Sequence, residues 1–150
     1  MCYFCQGESG NNIRFKTSFT QKISNYMNAF LSLGRWLFPF PFAIFGLIHV
    51  MDTSQMADRI PTYLPVPIFW VYLAGAGLIA AATAMLLGKY DKLAATLLAG
   101  ELLLFVLLLH LPKLVGGDSS ALAVMMKDLS LSGAAMLYAQ HYAKDSSVMG

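Results

Sequence analysis

Five ionisable residues stand in or beside otherwise apolar stretches: His49, Glu101, His110, Lys127 and Asp128. Inside a bilayer, Asp, Lys or Arg at a helix centre costs about 2.5 to 3.5 kcal/mol on insertion scales, so such residues mark a ligand site, a proton path or a structural lock. Imidazole titrates near physiological pH and can hydrogen-bond a quinone carbonyl or relay protons. Lys127 and Asp128 add a donor and an acceptor at adjacent positions. The competing reading has both histidines hydrated at the interface, Lys127 snorkelling and Asp128 supporting an adjacent helix turn.

Glu101 is different. It lies about eight residues inside its apolar run, too deep to reach water, and suits proton transfer or a hydrogen bond to a neighbouring helix or subunit equally. It precedes His110 by nine positions. At about 100° per residue that is half a turn, which predicts opposite helix faces and separate sites.

The elements that must position these residues are four apolar blocks, at about 36–51, 66–87, 93–111 and 121–140. A bilayer core about 30 Å thick takes roughly 20 helical residues. The last three blocks fit, and the first reaches that length with Leu31, Leu33 and the stem of Arg35. Unbroken apolar runs lack the alternation of a barrel strand, so the fold class is an all-α integral membrane bundle of four up-down transmembrane helices. The links at 89–92 and 113–120 are short enough for antiparallel neighbours. The expected organisation is a polar arm at 1–33, the bundle at 34–142 and a tail at 143–150.

The chain has 150 residues, 57% hydrophobic and 12% charged, with a net charge of +2. Outside the bundle nothing is long enough for a soluble catalytic core, and no basic stripe offers a nucleic-acid footprint. Seven basic residues (Arg14, Lys16, Lys22, Arg35, Lys89, Lys92, Lys144) fall on one side of the spans and three (Arg59, Lys113, Lys127) on the other. That bias predicts both termini in the cytoplasm of a bacterial-type inner membrane, with the first span as its own insertion signal. His49, His110, Lys127 and Asp128 would then share the outer end.

Along the chain, Gly7, Gly10, Asn11 and Asn12 predict a loose start, and Phe19, Ile23, Tyr26, Met27 and Phe30 an amphipathic helix. Pro39 and Pro41 predict a break in the first span. Tyr63, Phe69 and Trp70 read as interfacial aromatics. Gly75, Ala76, Gly77, Ala80 and Ala84 predict close helix contact. Cys2 and Cys5 form a C-x-x-C pair without a second pair or a redox-fold setting, which reads as two reduced thiols and not a metal site. Two histidines alone make haem a poor expectation. No hydrolase, phosphate-loop or dinucleotide motif is present.

Gly34-Arg35, Phe45-Gly46-Leu47-Ile48-His49, Pro65-Val66-Pro67 with Phe69-Trp70, His110-Leu111-Pro112 and Lys127-Asp128-Leu129 occur in an order that resembles the DoxX family over residues 34–142. The resemblance implies a four-helix membrane protein tied to redox systems, whose name-giving members are associated with a thiosulfate:quinone oxidoreductase. It departs in the second span, where many relatives carry an acid and this chain has Ala74-Gly75-Ala76-Gly77; Glu101 is the candidate replacement. The expectation is a non-catalytic subunit in contact with lipid and other membrane subunits, touching quinone through His49, His110 and Lys127. Competing classes are a purely structural subunit and a small carrier with an outward pocket.

Overall fold

In lipid, backbone groups must be satisfied within the segment, which drives apolar runs of this length into helices. The computed structural model describes residues 9–145, with side chains from residue 21, so Cys2 and Cys5 lie outside the described residues. Four helical stretches are long and apolar enough to cross a membrane: Gln21–Met51, Pro67–Leu87, Asp91–Val115 and Ser120–His141. The chain divides into two compact units after Gly34.

The described part of the first unit is essentially α1 (Ser9–Ser32). Gly10, Asn11 and Asn12 are helical, contrary to the loose start predicted; single-residue propensity is a weak prior that a surrounding pattern overrides. Ile23, Tyr26, Met27 and Phe30 are exposed.

The second unit is built from α2 (Gly34–Leu37, opening at the boundary), α3 (Phe40–Met51), α4 (Thr53–Ala57), α5 (Pro67–Leu87), α6 (Asp91–Phe105), a π-turn segment (Val106–His110), α7 (Leu111–Val115) and α8 (Ser120–His141). The helix breaks at Phe38 and Pro39, as the prolines predict. Pro39 caps α3 and Pro41 sits in its first turn, where a missing N–H costs nothing. The third apolar run continues beyond residue 111, through the π-turn and α7 to Val115. Lys113 is therefore helical, and the link to α8 shrinks to residues 116–119.

α3 packs on α5, α5 on α6 and α6 on α8. The turns at 88–90 and 116–119 set α5, α6 and α8 antiparallel in sequence. Gly88 ends α5 with φ +67°, and a β-carbon there would stand 2.9 Å from the Arg35 guanidinium. Glycine therefore serves both the left-handed cap and the close approach.

The bundle is packed unevenly along its length. Leu78, Ala81, Ala82 and Met85 of α5, Ala94, Ala95, Leu98, Ala99 and Leu102 of α6, and Ala135 and Tyr138 of α8 form one buried cluster with Phe42. Alanine lets backbones approach closely. Two hydroxyls reach across this end to carbonyls of neighbouring helices: Ser132 Oγ to Ala99 at 3.0 Å and Tyr138 Oη to Met85 at 3.3 Å. Asp91 is fully buried, and its carboxylate accepts the backbone N–H groups of Lys144 and Asp145, both at 2.9 Å. The segment after α8 is thus tied to the start of α6.

The small residues of α5 divide between faces. Gly75 is buried against α3, where an added β-carbon would lie 2.9 Å from the His49 β-carbon and 3.1 Å from the Gly46 carbonyl. Gly77 faces α6, and Ala84 is partly buried against the core. Ala76 and Ala80 do not join this packing: both are exposed. One residue on from Gly75 is about 100° around the helix, which turns the 76/80 stripe away from α3.

Candidate functional site

Beside this cluster, and sharing Phe42, Leu78 and Leu102 with it, the helices border a half-open cavity of about 950 Å³. Its wall takes residues from α3, α5, α6, the π-turn and α8, and it includes His49, Glu101, His110, Lys127 and Asp128 together. The lining is mainly aliphatic and aromatic, with the polar groups spaced along it. Such a composition, with few polar groups among apolar walls, is that of a small-molecule site.

Asp128 is the hub of the polar end. One carboxylate oxygen lies 2.9 Å from His110 Nε2 and the other 3.3 Å from Lys127 Nζ. Asp128 and His110 are largely buried, whereas half of the Lys127 side chain is exposed. Its ammonium also sits over the Phe45 ring, 5.4 Å from the centroid, a cation–π contact that holds α8 to α3. A buried carboxylate beside an ammonium and an imidazole has its charge balanced, and the arrangement leaves Lys127 further N–H groups to donate and His110 its Nδ1.

His49 lines the same cavity but does not join the Asp128 hub. Its Nδ1 lies 2.8 Å from the Phe45 carbonyl one turn earlier, which leaves Nε2 to carry any further bond. The carbonyl of His49 itself accepts from Thr53 Oγ1 at 2.9 Å, closing the turn into α4.

The expectation of opposite faces for Glu101 and His110 is overturned, because both line this one cavity. The reason is the π-turn between them. An i→i+5 turn takes up one extra residue and withholds about 100° of rotation, so the half-turn offset becomes roughly 80°. The cause is in the sequence. Pro112 has no N–H for the Leu108 carbonyl, and its ring crowds that carbonyl; the N–H of Leu111 instead reaches back to Val106. The Leu108 carbonyl accepts the Tyr63 hydroxyl from the first loop. Tyr63, expected only as an interfacial aromatic, is thus tied to the third span.

Glu101 stands against α5 at Gly77. A β-carbon at 77 would lie 2.7 Å from Glu101 Oε2 and 3.0 Å from Oε1, so the carboxyl occupies the space that a side chain of the second span would fill.

Three charged groups unassigned to any site by the sequence also line the cavity: Arg59, Lys113 and Asp118. Lys113 Nζ donates to the Arg59 carbonyl at 2.8 Å, fastening α7 to the first loop. Asp118 accepts the hydroxyl and amide of Ser120 at 2.5 and 3.0 Å, and those bonds hold its carboxyl below the usual carboxylate range. Trp70 Nε1 donates to the Pro65 carbonyl at 3.0 Å, so this aromatic faces its own loop as well as the cavity.

The sequence model of the DoxX family matches residues 30–111. The match takes in His49, Glu101 and His110 and ends before Lys127 and Asp128. Neither the curated proteins nor the solved structures yield a match to this chain. With four membrane-crossing helices and more than half its length matched by the family model, the chain is a multi-pass membrane protein that belongs to the DoxX family.

Proposed function

We propose that this protein is a non-catalytic subunit of a membrane redox assembly that receives a quinone in the cavity. The observation that carries the reading is the Lys127–Asp128–His110 hub at the polar end of an otherwise apolar cavity of about 950 Å³. The residues present suit such a ligand. Lys127 would donate to a quinone carbonyl, and His110, with Nε2 on Asp128, would donate through Nδ1 as the imidazolium, while the aromatic and aliphatic wall would bury the ring and part of the tail. A bound quinone supplies two-electron chemistry coupled to protons; this chain binds, orients and exchanges protons at His110.

On this reading both termini face the cytoplasm and the hub lies toward the outer face of a bacterial-type inner membrane, in line with the seven-to-three division of basic residues and the positive-inside rule. Other membrane subunits would supply the electron carriers. Native mass spectrometry of gently solubilised protein tests the proposal. Quinone and stoichiometric redox subunits are expected to travel with the wild type, and quinone to be lost from a His110→Gln, Lys127→Gln double variant that keeps its subunits. A lone chain without quinone would sink it.

A purely structural role is the second reading. It is favoured by Ala76 and Ala80, small residues exposed on the outer face of α5, which would let another transmembrane helix approach closely. Retained subunits with no cofactor would support that role instead.

A further inference from the structure

Glu101 is poorly explained by contacts within the chain. No described residue donates a hydrogen bond to its carboxyl or pairs with it. Of the cationic side chains that line the cavity, Lys127 is engaged by Asp128, Lys113 by the Arg59 carbonyl, and Arg59 stands in the first loop with no ion pair to Glu101. Along the helix axis Glu101 and His110 are separated by about 13 Å, nine residues of rise.

An intramembrane acid points to a partner, and the wall of the cavity indicates which kind. Phe38, Phe42, Phe45, Trp70 and Phe105 all line the same space as Glu101. Aromatic faces attract organic cations, most strongly where water is excluded. A carboxylate supplies the countercharge that such a cation would otherwise lack in an apolar site. The volume, about 950 Å³, lies near the top of the range for small-molecule pockets, about 300 to 1,000 Å³. α8 meets α3 and the turn before it through side chains: Lys127 lies over Phe45, and Phe38 stacks on Tyr138.

We propose that the Glu101 end of the cavity binds a lipophilic organic cation, an amine or a quaternary onium carrying apolar or aromatic groups. The Glu101 carboxylate is the countercharge, and the aromatic side chains enclose the substituents. Gly77 serves the site by leaving the carboxyl room beside α5. The cation and the quinone would share one cavity and its aromatic wall and so compete, but they rest on different polar groups, Glu101 for the cation and His110 with Lys127 for the quinone.

The test is equilibrium dialysis of the full chain in detergent against tetraphenylphosphonium, with tetraphenylborate as the probe of reversed charge and empty micelles as background. Saturable binding of the cation and only background uptake of the anion are expected. Glu101→Gln should weaken cation binding roughly tenfold or more, as loss of a desolvated countercharge does, while Glu101→Asp retains part of it and Ser130→Ala, on the exposed face of α8, retains all. Equal binding of cation and anion, or wild-type affinity in Glu101→Gln, would overturn the proposal. A cavity filled by a neutral lipid or quinone that the cation fails to displace would overturn it too. Because the charge-sign comparison uses the wild type, it stands even if the Gln variant folds poorly, and quinone loss in the His110, Lys127 variant leaves its outcome unchanged.

Discussion

The hydroxyl of Tyr63, in the first loop, donates to the main-chain carbonyl of Leu108 in the third span. An ordinary residue at position 112 would offer its N–H to that carbonyl, and Pro112 has none. A loop side chain therefore takes over part of a helix ladder, and the π-turn it fastens is the one that brings His110 into the cavity. Tyr63→Phe is expected to cost about 1 kcal/mol, the scale of hydrogen bonds between membrane segments, seen as a lowered thermal midpoint in detergent. In a Pro112→Ala background the same change should cost less, since the backbone can then satisfy Leu108 itself. Strictly additive losses would show the two features to be unconnected.

Pro112→Ala on its own should let the segment wind as a regular α-helix. That restores about 100° of rotation between Glu101 and His110 and swings the imidazole away from Asp128, 2.9 Å distant in the wild type. Nitrogen NMR of the His110 ring reads this directly: the Pro112→Ala spectrum should move toward that of Asp128→Asn. An unchanged ring environment would mean that packing, and not proline, imposes the π-turn.

Most of the fold was legible because apolar length is a strong signal, while the site was legible only in part. The alternating blocks and prolines locate four spans and the break at Pro39, and the intramembrane charges name the residues that line the cavity. A count of 100° per residue does not hold between Glu101 and His110, because it describes a regular helix and Pro112 perturbs the turn before it. Its position within one turn of His110 was the available signal. Asp91 is hard to read from the sequence for a different reason. It stands at the edge of an apolar block, where a charge normally meets water, and only the return of residues 144 and 145 onto α6 buries it. Likewise, Ala76 and Ala80 have the right size for close packing, but their angular phase faces them outward.

The hub at Asp128 can be measured as a coupling. His110→Gln and Asp128→Asn each remove one side of the 2.9 Å contact. In a double-mutant cycle on thermal stability they are expected to be non-additive by about 0.5 to 2 kcal/mol, as for residues within one network. Lys127→Gln should couple to Asp128→Asn more weakly, because its longer 3.3 Å contact is half exposed and exposed pairs contribute little. A zero coupling for His110 and Asp128 would remove the hub as a unit.

Two glycines separate packing from ligand space. At Gly46 an added β-carbon would lie 2.5 Å from Ile79 Cγ1 and 2.8 Å from the Gly75 carbonyl, the latter being backbone of a helix held in the bundle. At Gly77 the atoms met are the carboxyl oxygens of Glu101, the free end of a flexible side chain. Overpacking costs about 1 to 3 kcal/mol when neighbours must shift, and more when they cannot. Gly46→Ala is therefore expected to lower stability by the upper figure or beyond and to part α3 from α5. Gly77→Ala should be tolerated within about 1 kcal/mol, because the carboxyl can turn into the cavity. Thermal denaturation of the two variants decides the matter, and equal losses would show that Glu101 is held in place as firmly as the backbone of α5.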